Sequence, residues 1–144
     1  MTSSAQRSAV LVRALRAAVS GDAATLAALY TDDIKAWTPA RSASSAGELI
    51  GELERRDGAF TEIEVEITPL EVGGDYACAE WRVTMTHTGD LQLRDAVVPA
   101  TGLRIAINGV TVAEFDDDRI CALRQYWDEL AVYEPLGLVG DIDE

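Results

Sequence analysis

The feature that most constrains the fold of this chain is a change of period at Thr61. Upstream, apolar residues recur every three or four positions; downstream, they alternate with polar ones. Ile63, Val65 and Ile67 alternate with Glu62, Glu64 and Glu66, the pattern of a half-buried strand with a solvated acidic face. Gly73-Gly74-Asp75 then supplies a hairpin turn. Residues 76–87 read as the next strand, with Ala77, Ala79, Trp81, Val83, Met85 and His87 on one face and Glu80, Arg82 and Thr84 on the other. A loop over 89–99 leads to a strand over 103–115, bulged near Asn108-Gly109. Asp116-Asp117-Asp118 is a tight acidic turn, and a last strand runs from 119 to about 131.

On that last strand a strict alternation groups Ile120, Ala122, Arg124, Tyr126, Asp128 and Leu130 on one face. Cys121, Leu123, Gln125, Trp127 and Glu129 fall on the other. A carboxylate in phase with Ile120 and Tyr126 carries a desolvation cost, so Asp128 needs a partner or a chemical task.

The upstream half reads as helices. Residues 1–4 are expected to fray, and 5–20 form a helix with Leu11, Leu15, Ala18 and Val19 on one stripe and Arg7, Arg13 and Arg16 opposite. Gly21 ends it and Asp22 caps a second helix over 23–31, with Leu26, Leu29 and Tyr30 inward. Residues 34–37 are a short strand stopped by Pro39. A polar loop over 41–45 precedes a third helix over 46–56, with Leu49, Ile50 and Leu53 on one face. Helices followed by hairpin-connected strands make one α+β domain over 1–144, its three N-terminal helices packed on one face of a curved, mostly antiparallel sheet.

Composition narrows the partners. The chain has 12 Lys and Arg against 25 Asp and Glu, a net charge of −13, so no nucleic acid and no anionic membrane surface is expected. No apolar run approaches a membrane span, and Arg13 and Arg16 interrupt the apolar N-terminal stretch that would otherwise suggest a signal peptide. Cys78 and Cys121 stand apart from any Cys/His cluster and read as reduced thiols of a cytoplasmic protein. No metal site and no cofactor is expected: the Asp116–118 turn has too few ligands for calcium, and no phosphate loop or nucleophile elbow is present.

Several stretches together resemble the SnoaL-like polyketide cyclases, also called ester cyclases, of the nuclear-transport-factor-2-like superfamily. They are Gly21-Asp22 through Tyr30-Thr31-Asp32-Asp33, Trp81 with Thr86-His87-Thr88-Gly89, Pro99-Ala100-Thr101-Gly102, and Phe115 to Ile120 with Asp128 and Leu136-Gly137-Leu138. The resemblance spans about 6–138 and implies a cone-shaped α+β fold. It departs from the family pattern at Asp117-Asp118, where a Gly is usual; Asp tolerates the left-handed conformation such a turn needs.

The resemblance also implies that Asp128 is a general acid/base on an enolisable, polyketide-like or polycyclic substrate, in an aldol cyclase or isomerase. An apolar pocket suits that task; the alternative for Asp128 is an ion pair with Arg124 or Arg104. His87, the only histidine, is either a substrate contact that orients Asp128 or a hydrogen-bonded core residue. Trp37, Trp81, Met85, Tyr126, Tyr30 and Phe60 are candidates to line a cavity for a hydrophobic or aromatic small molecule, or else core. Arg104 is either an oxyanion stabiliser or half of a cross-strand ion pair. A non-catalytic ligand-binding cone is the competing class, with an epoxide hydrolase ranked lower for want of a second acid. Leu123 and Trp127, placed opposite Asp128, predict a homodimer through the outer face of the sheet.

Overall fold

The structure, a computed structural model, describes residues 3–39, 42–54 (52–54 as backbone), 58–92 and 96–138. The expected end of the third helix at 55–56, its inward Leu53, and part of the 89–99 loop lie outside the described residues. The elements run α1 (Ser4–Ser20), α2 (Ala23–Leu29), β1 (Tyr30–Trp37), β2 (Ser42–Ala43), α3 (Ala46–Glu54), β3 (Phe60–Leu70), β4 (Tyr76–His87), β5 (Leu91–Gln92), β6 (Val97–Val98), β7 (Arg104–Asp116), β8 (Arg119–Trp127) and α4 (Leu130–Tyr133). Six strands form one sheet in the order β2-β1-β8-β7-β4-β3, and β5 pairs with β6 separately. The architecture is the expected α+β one, with helices on one face of a large sheet.

Local chemistry sets the helix ends. Ser3 and Gln6 form a capping box at the start of α1, so the segment expected to fray is ordered from Ser3 onward. Gly21 ends α1 in the left-handed conformation (φ 75°), and Asp22 accepts from the N–H and the hydroxyl of Thr25 to start α2. α2 is shorter than its sequence pattern suggests. Tyr30 is already extended, because β1 pairs in parallel with β8 from Tyr30 opposite Ile120 to Trp37 opposite Arg124. Tyr30 N–H still donates to Leu26 C=O, while its C=O accepts from Arg119 Nη2, so tertiary contact overrides local propensity.

Side-chain size divides the concave, helix-facing side of the sheet in two. Ala77, Ala79 and Ala113 are buried beneath α1, whose Ala14 and Ala17 are also buried; small residues on both sides let helix and sheet approach closely. Leu11, Leu26, Ile34 and Ile120 fill the remaining core, each 1% exposed or less. Farther along the same face the residues become large: Trp81 and Trp127, then Val83 and Ile107, then Met85 and Ile105. Trp81, Val83, Ile107 and Trp127 remain only half-buried.

Two irregularities decide which way side chains point. Between the pairs Phe115–Ile120 and Glu114–Ala122, Cys121 is an extra residue in β8, a bulge that reverses the phase of everything after it. Leu123, Gln125 and Trp127 therefore join Ile120 on the concave side, while Arg124 and Tyr126 turn outward. This corrects the strict alternation read from the sequence, including the outward placement of Leu123, which is 3% exposed in the core. The bulge expected at Asn108-Gly109 is absent: the β4–β7 ladder runs unbroken through both residues. A second bulge lies in β3, where Glu62 adopts φ 52° between the pairs Thr61–Thr86 and Glu64–Thr84.

The candidate concave site

The open half of the concave face is the candidate site. β4 contributes Trp81, Val83, Met85 and His87 from one uninterrupted alternation, as the sequence predicts. Trp81 is held by its indole N–H, which donates to buried Thr111 Oγ1 at 2.9 Å. Its ring covers Gly109 on β7, where a Cβ would overlap the indole, and lies 6.3 Å from the Trp127 ring. Gly109 is thus a seat for an aromatic ring rather than a bulge.

His87 closes the far end of this surface. Its side chain is 0% exposed, and the Phe60 ring, opposite it on β3, lies 5.4 Å away. The surrounding backbone is tightly crossed. Thr88 and Gly89 N–H both donate to Ala59 C=O, and a Cβ on Gly89 would strike Gly58 C=O, so the glycine of Thr86-His87-Thr88-Gly89 is there for a chain crossing. On the other side His87 C=O accepts from Gly102 N–H at 2.8 Å, and Gly102 has φ 72°. Thr101 N–H donates to His87 Nδ1 at 3.3 Å, and Thr101 Oγ1 lies 2.9 Å from the same nitrogen. Nε2 is buried and, among the described residues, has no partner. An unmet buried donor costs roughly 1–3 kcal/mol.

The other sequence candidates lie elsewhere. Tyr30 is 3% exposed within the core, where burial pushes its phenol far up. The Trp37 and Tyr126 rings meet at a tilt, centroids 5.1 Å apart, on the outer face, 42% and 45% exposed. The register explains both: outward positions of β1 and of post-bulge β8 are neighbours. Arg104 is also on the outer face. Its Nη1 donates to Glu62 C=O at 3.1 Å and Thr86 Oγ1 at 2.8 Å, and its Nη2 lies 3.5 Å from Glu64. It clamps the β3 bulge through cross-strand contacts. Asp128 is exposed one residue beyond the last ladder pair, Gly109–Trp127. Its Oδ1 accepts from Leu130 N–H at 3.1 Å, so β8 stops there instead of reaching Ala131. Asp128 is therefore out of phase with Ile120, at the strand's end next to Trp127.

Sequence reasoning passed over Thr101 and Thr111, the hydroxyls that hold His87 and Trp81. Thr101 stood in the Pro99–Gly102 turn motif; Thr111 is visible only as a polar residue in phase with Ala113. Among the described residues, no three His, Cys, Asp or Glu side chains converge as a metal site would require. No helix among them is long and apolar enough to cross a membrane. A shallow open depression of about 340 Å³ is lined by Glu66, Thr68, Glu80, Trp81, Arg82, Asn108 and Gly109, more polar than an apolar ligand site.

The SnoaL-like domain family matches residues 11–123. No curated protein matches the chain. Among solved structures, it is similar to a protein of Jannaschia sp. CCS1 provisionally assigned as a SnoaL-like polyketide cyclase, with TM-score 0.81, 17% identity, and 95% of both chains covered. It is similar to IdmH of Streptomyces antibioticus, provisionally a polyketide cyclase, with TM-score 0.77, 20% identity, and 92% of this chain and 99% of that one covered. It is also similar to an LEH-like epoxide hydrolase of M. tuberculosis, with TM-score 0.70, 20% identity, and 92% of this chain and 90% of that one covered. At these identities the likeness carries the fold alone.

Proposed function

Because the chain belongs to the SnoaL-like domain family, we propose that it is a small enzyme of the cyclase or isomerase type acting on a hydrophobic, enolisable, polyketide-like or polycyclic substrate. The observation that carries this reading is the half-open apolar floor of Trp81, Val83, Ile107 and Trp127, on the same face as buried His87, whose Nε2 has no partner among the described residues. A flat apolar ligand gains from burying that floor, and a single polar contact fixes its orientation. Asp128 is the proton-transfer group of this proposal. It directly follows Trp127 of the floor, and its Oδ1 accepts from Leu130 N–H. It would take a proton from the carbon beside a carbonyl and return one to the product oxygen or carbon.

Asp128→Asn tests this. The amide keeps the shape and cannot exchange a proton, so turnover of an identified substrate should fall about 10²–10⁴-fold with binding and melting temperature little changed. Undiminished turnover would remove Asp128 from the mechanism. A thermal-shift screen of polycyclic aromatic ketones identifies ligands first, since binding raises apparent stability. The homodimer belongs to the same proposal, now through the exposed Trp37–Tyr126 pair, because the bulge turns Leu123 into the core.

A further inference from the structure

On β4, Glu80 and Arg82 alternate with Trp81, so they stand on the outer face while the indole stands on the concave one. The ladder sets their neighbours. Arg82 lies directly between Glu66 of β3 and Asn108 of β7, and Glu80 lies opposite Thr68. These side chains, all exposed, line the open depression of about 340 Å³. Opposite charges placed across a ladder ordinarily pair. Arg104 does so farther along this face, where its Nη2 lies 3.5 Å from Glu64. Arg82 has one carboxylate directly opposite in Glu66 and a second two residues back in Glu80, yet among the described residues it forms an ion pair with neither. The side chains of Thr68 and Asn108 likewise make no hydrogen bond among the described residues. One guanidinium, two carboxylates, an amide and a hydroxyl therefore surround a single space with their hydrogen-bonding capacity unspent.

We propose that this depression binds a small zwitterion of dipeptide size, its carboxylate on Arg82 and its ammonium on Glu66 and Glu80. The signs make the selection. A simple anion meets two carboxylates and a simple cation meets the guanidinium, whereas a ligand charged oppositely at its two ends satisfies both. The planar guanidinium matches a carboxylate with two parallel N–H donors. A peptide group between the two ends finds the Asn108 amide and the Thr68 hydroxyl, each able to donate and to accept. The volume lies near the lower end of the roughly 300–1,000 Å³ range of ligand sites, which suits a small molecule. The depression belongs to β3, β4 and β7, apart from Trp37 and Tyr126 on β1 and β8, and on the face opposite Trp81 and Trp127. It goes beyond the reading of the concave face and does not depend on it.

The test titrates the ¹⁵N-labelled full-length protein with L-alanyl-L-alanine, its N-acetyl form, its C-terminal amide, and the form blocked at both ends. The free dipeptide should shift the Asn108 side-chain amide and the backbone amides of residues 66–68 and 80–82. Each singly blocked form should bind about three- to tenfold more weakly, the effect of losing one charged contact at an open site. Arg82→Gln should erase the difference between the dipeptide and its amide. Glu66→Gln combined with Glu80→Gln should erase the difference between the dipeptide and its N-acetyl form. Equal affinity of all four forms overturns the zwitterion assignment, and shifts centred on other residues, or none, overturn the site. None of these results bears on ligands of the concave floor.

Discussion

At Gly109 a Cβ would overlap the Trp81 ring and lie 2.7 Å from Tyr126 C=O, so the concave floor depends on a missing side chain. Neither neighbour can yield: the indole is pinned by Thr111, and the carbonyl is backbone. Gly109→Ala should cost about 1–3 kcal/mol through overpacking. It should also displace Trp81 from Trp127, visible as a change in tryptophan fluorescence together with weaker ligand binding. Unchanged stability and emission would mean the ring does not rest on Gly109. His87 and Asp128, the two residues singled out for chemistry, owe their settings to different partners. One is buried and held through side-chain and backbone groups of a turn; the other is exposed and held by a single backbone N–H. Burial followed the alternation of β4 and was legible. The setting of Asp128 was not, since it depends on where β8 stops.

Among the elements, β8 is where sequence and structure part. An extra residue at Cys121 leaves no compositional mark, yet it exchanges the faces of Leu123 and Tyr126. The exchange is measurable: Leu123→Ala should cost about 2–5 kcal/mol and Tyr126→Ala about 1 kcal/mol or less in urea unfolding. The reverse order would restore the unbulged register. β4 was legible because nothing interrupts its alternation, and the α1–α2 junction because Gly21 and Asp22 act on their immediate neighbours. The Arg104 clamp was legible only as one of two options, because its main contact is a bulge carbonyl on another strand. The Asp22 cap also makes a pH prediction. The Thr25 hydroxyl and then the Thr25 N–H hold this carboxyl below its ordinary value. A depressed carboxyl contributes stability that is full above the unfolded value and lost as pH falls through the folded one. The stability gap between wild type and Asp22→Ala should therefore be flat from pH 7 to about 5 and narrow below about pH 4. A gap that stayed constant to pH 2 would show that the charge contributes nothing.

For the whole molecule, the outer sheet face bears on assembly. Trp37 and Tyr126 are large, exposed and in tilted ring contact on a face that no helix among the described residues covers, and self-association would bury them. Sedimentation at micromolar concentration should show a dimer that Tyr126→Glu dissociates without unfolding; a wild-type monomer would count against the interface. The general architecture was legible from the order of its periods. The parallel β1–β8 pairing was not, because it joins segments far apart in the chain. That pairing also governs how the protein can be made. β1 ends at Trp37 and its inner neighbour β8 begins at Arg119, 82 residues later (119 − 37). At a ribosomal pace of about 5–20 residues per second, β1 and the helices above it wait roughly 4–16 s for the strand that completes their sheet. A nascent chain halted before β8 lacks the strand that joins β1 to β7, so the edges of both stand unpaired there, a natural client for a holding chaperone. Folding of this domain is in effect a post-synthetic event, triggered when its last strand arrives in the middle of the sheet.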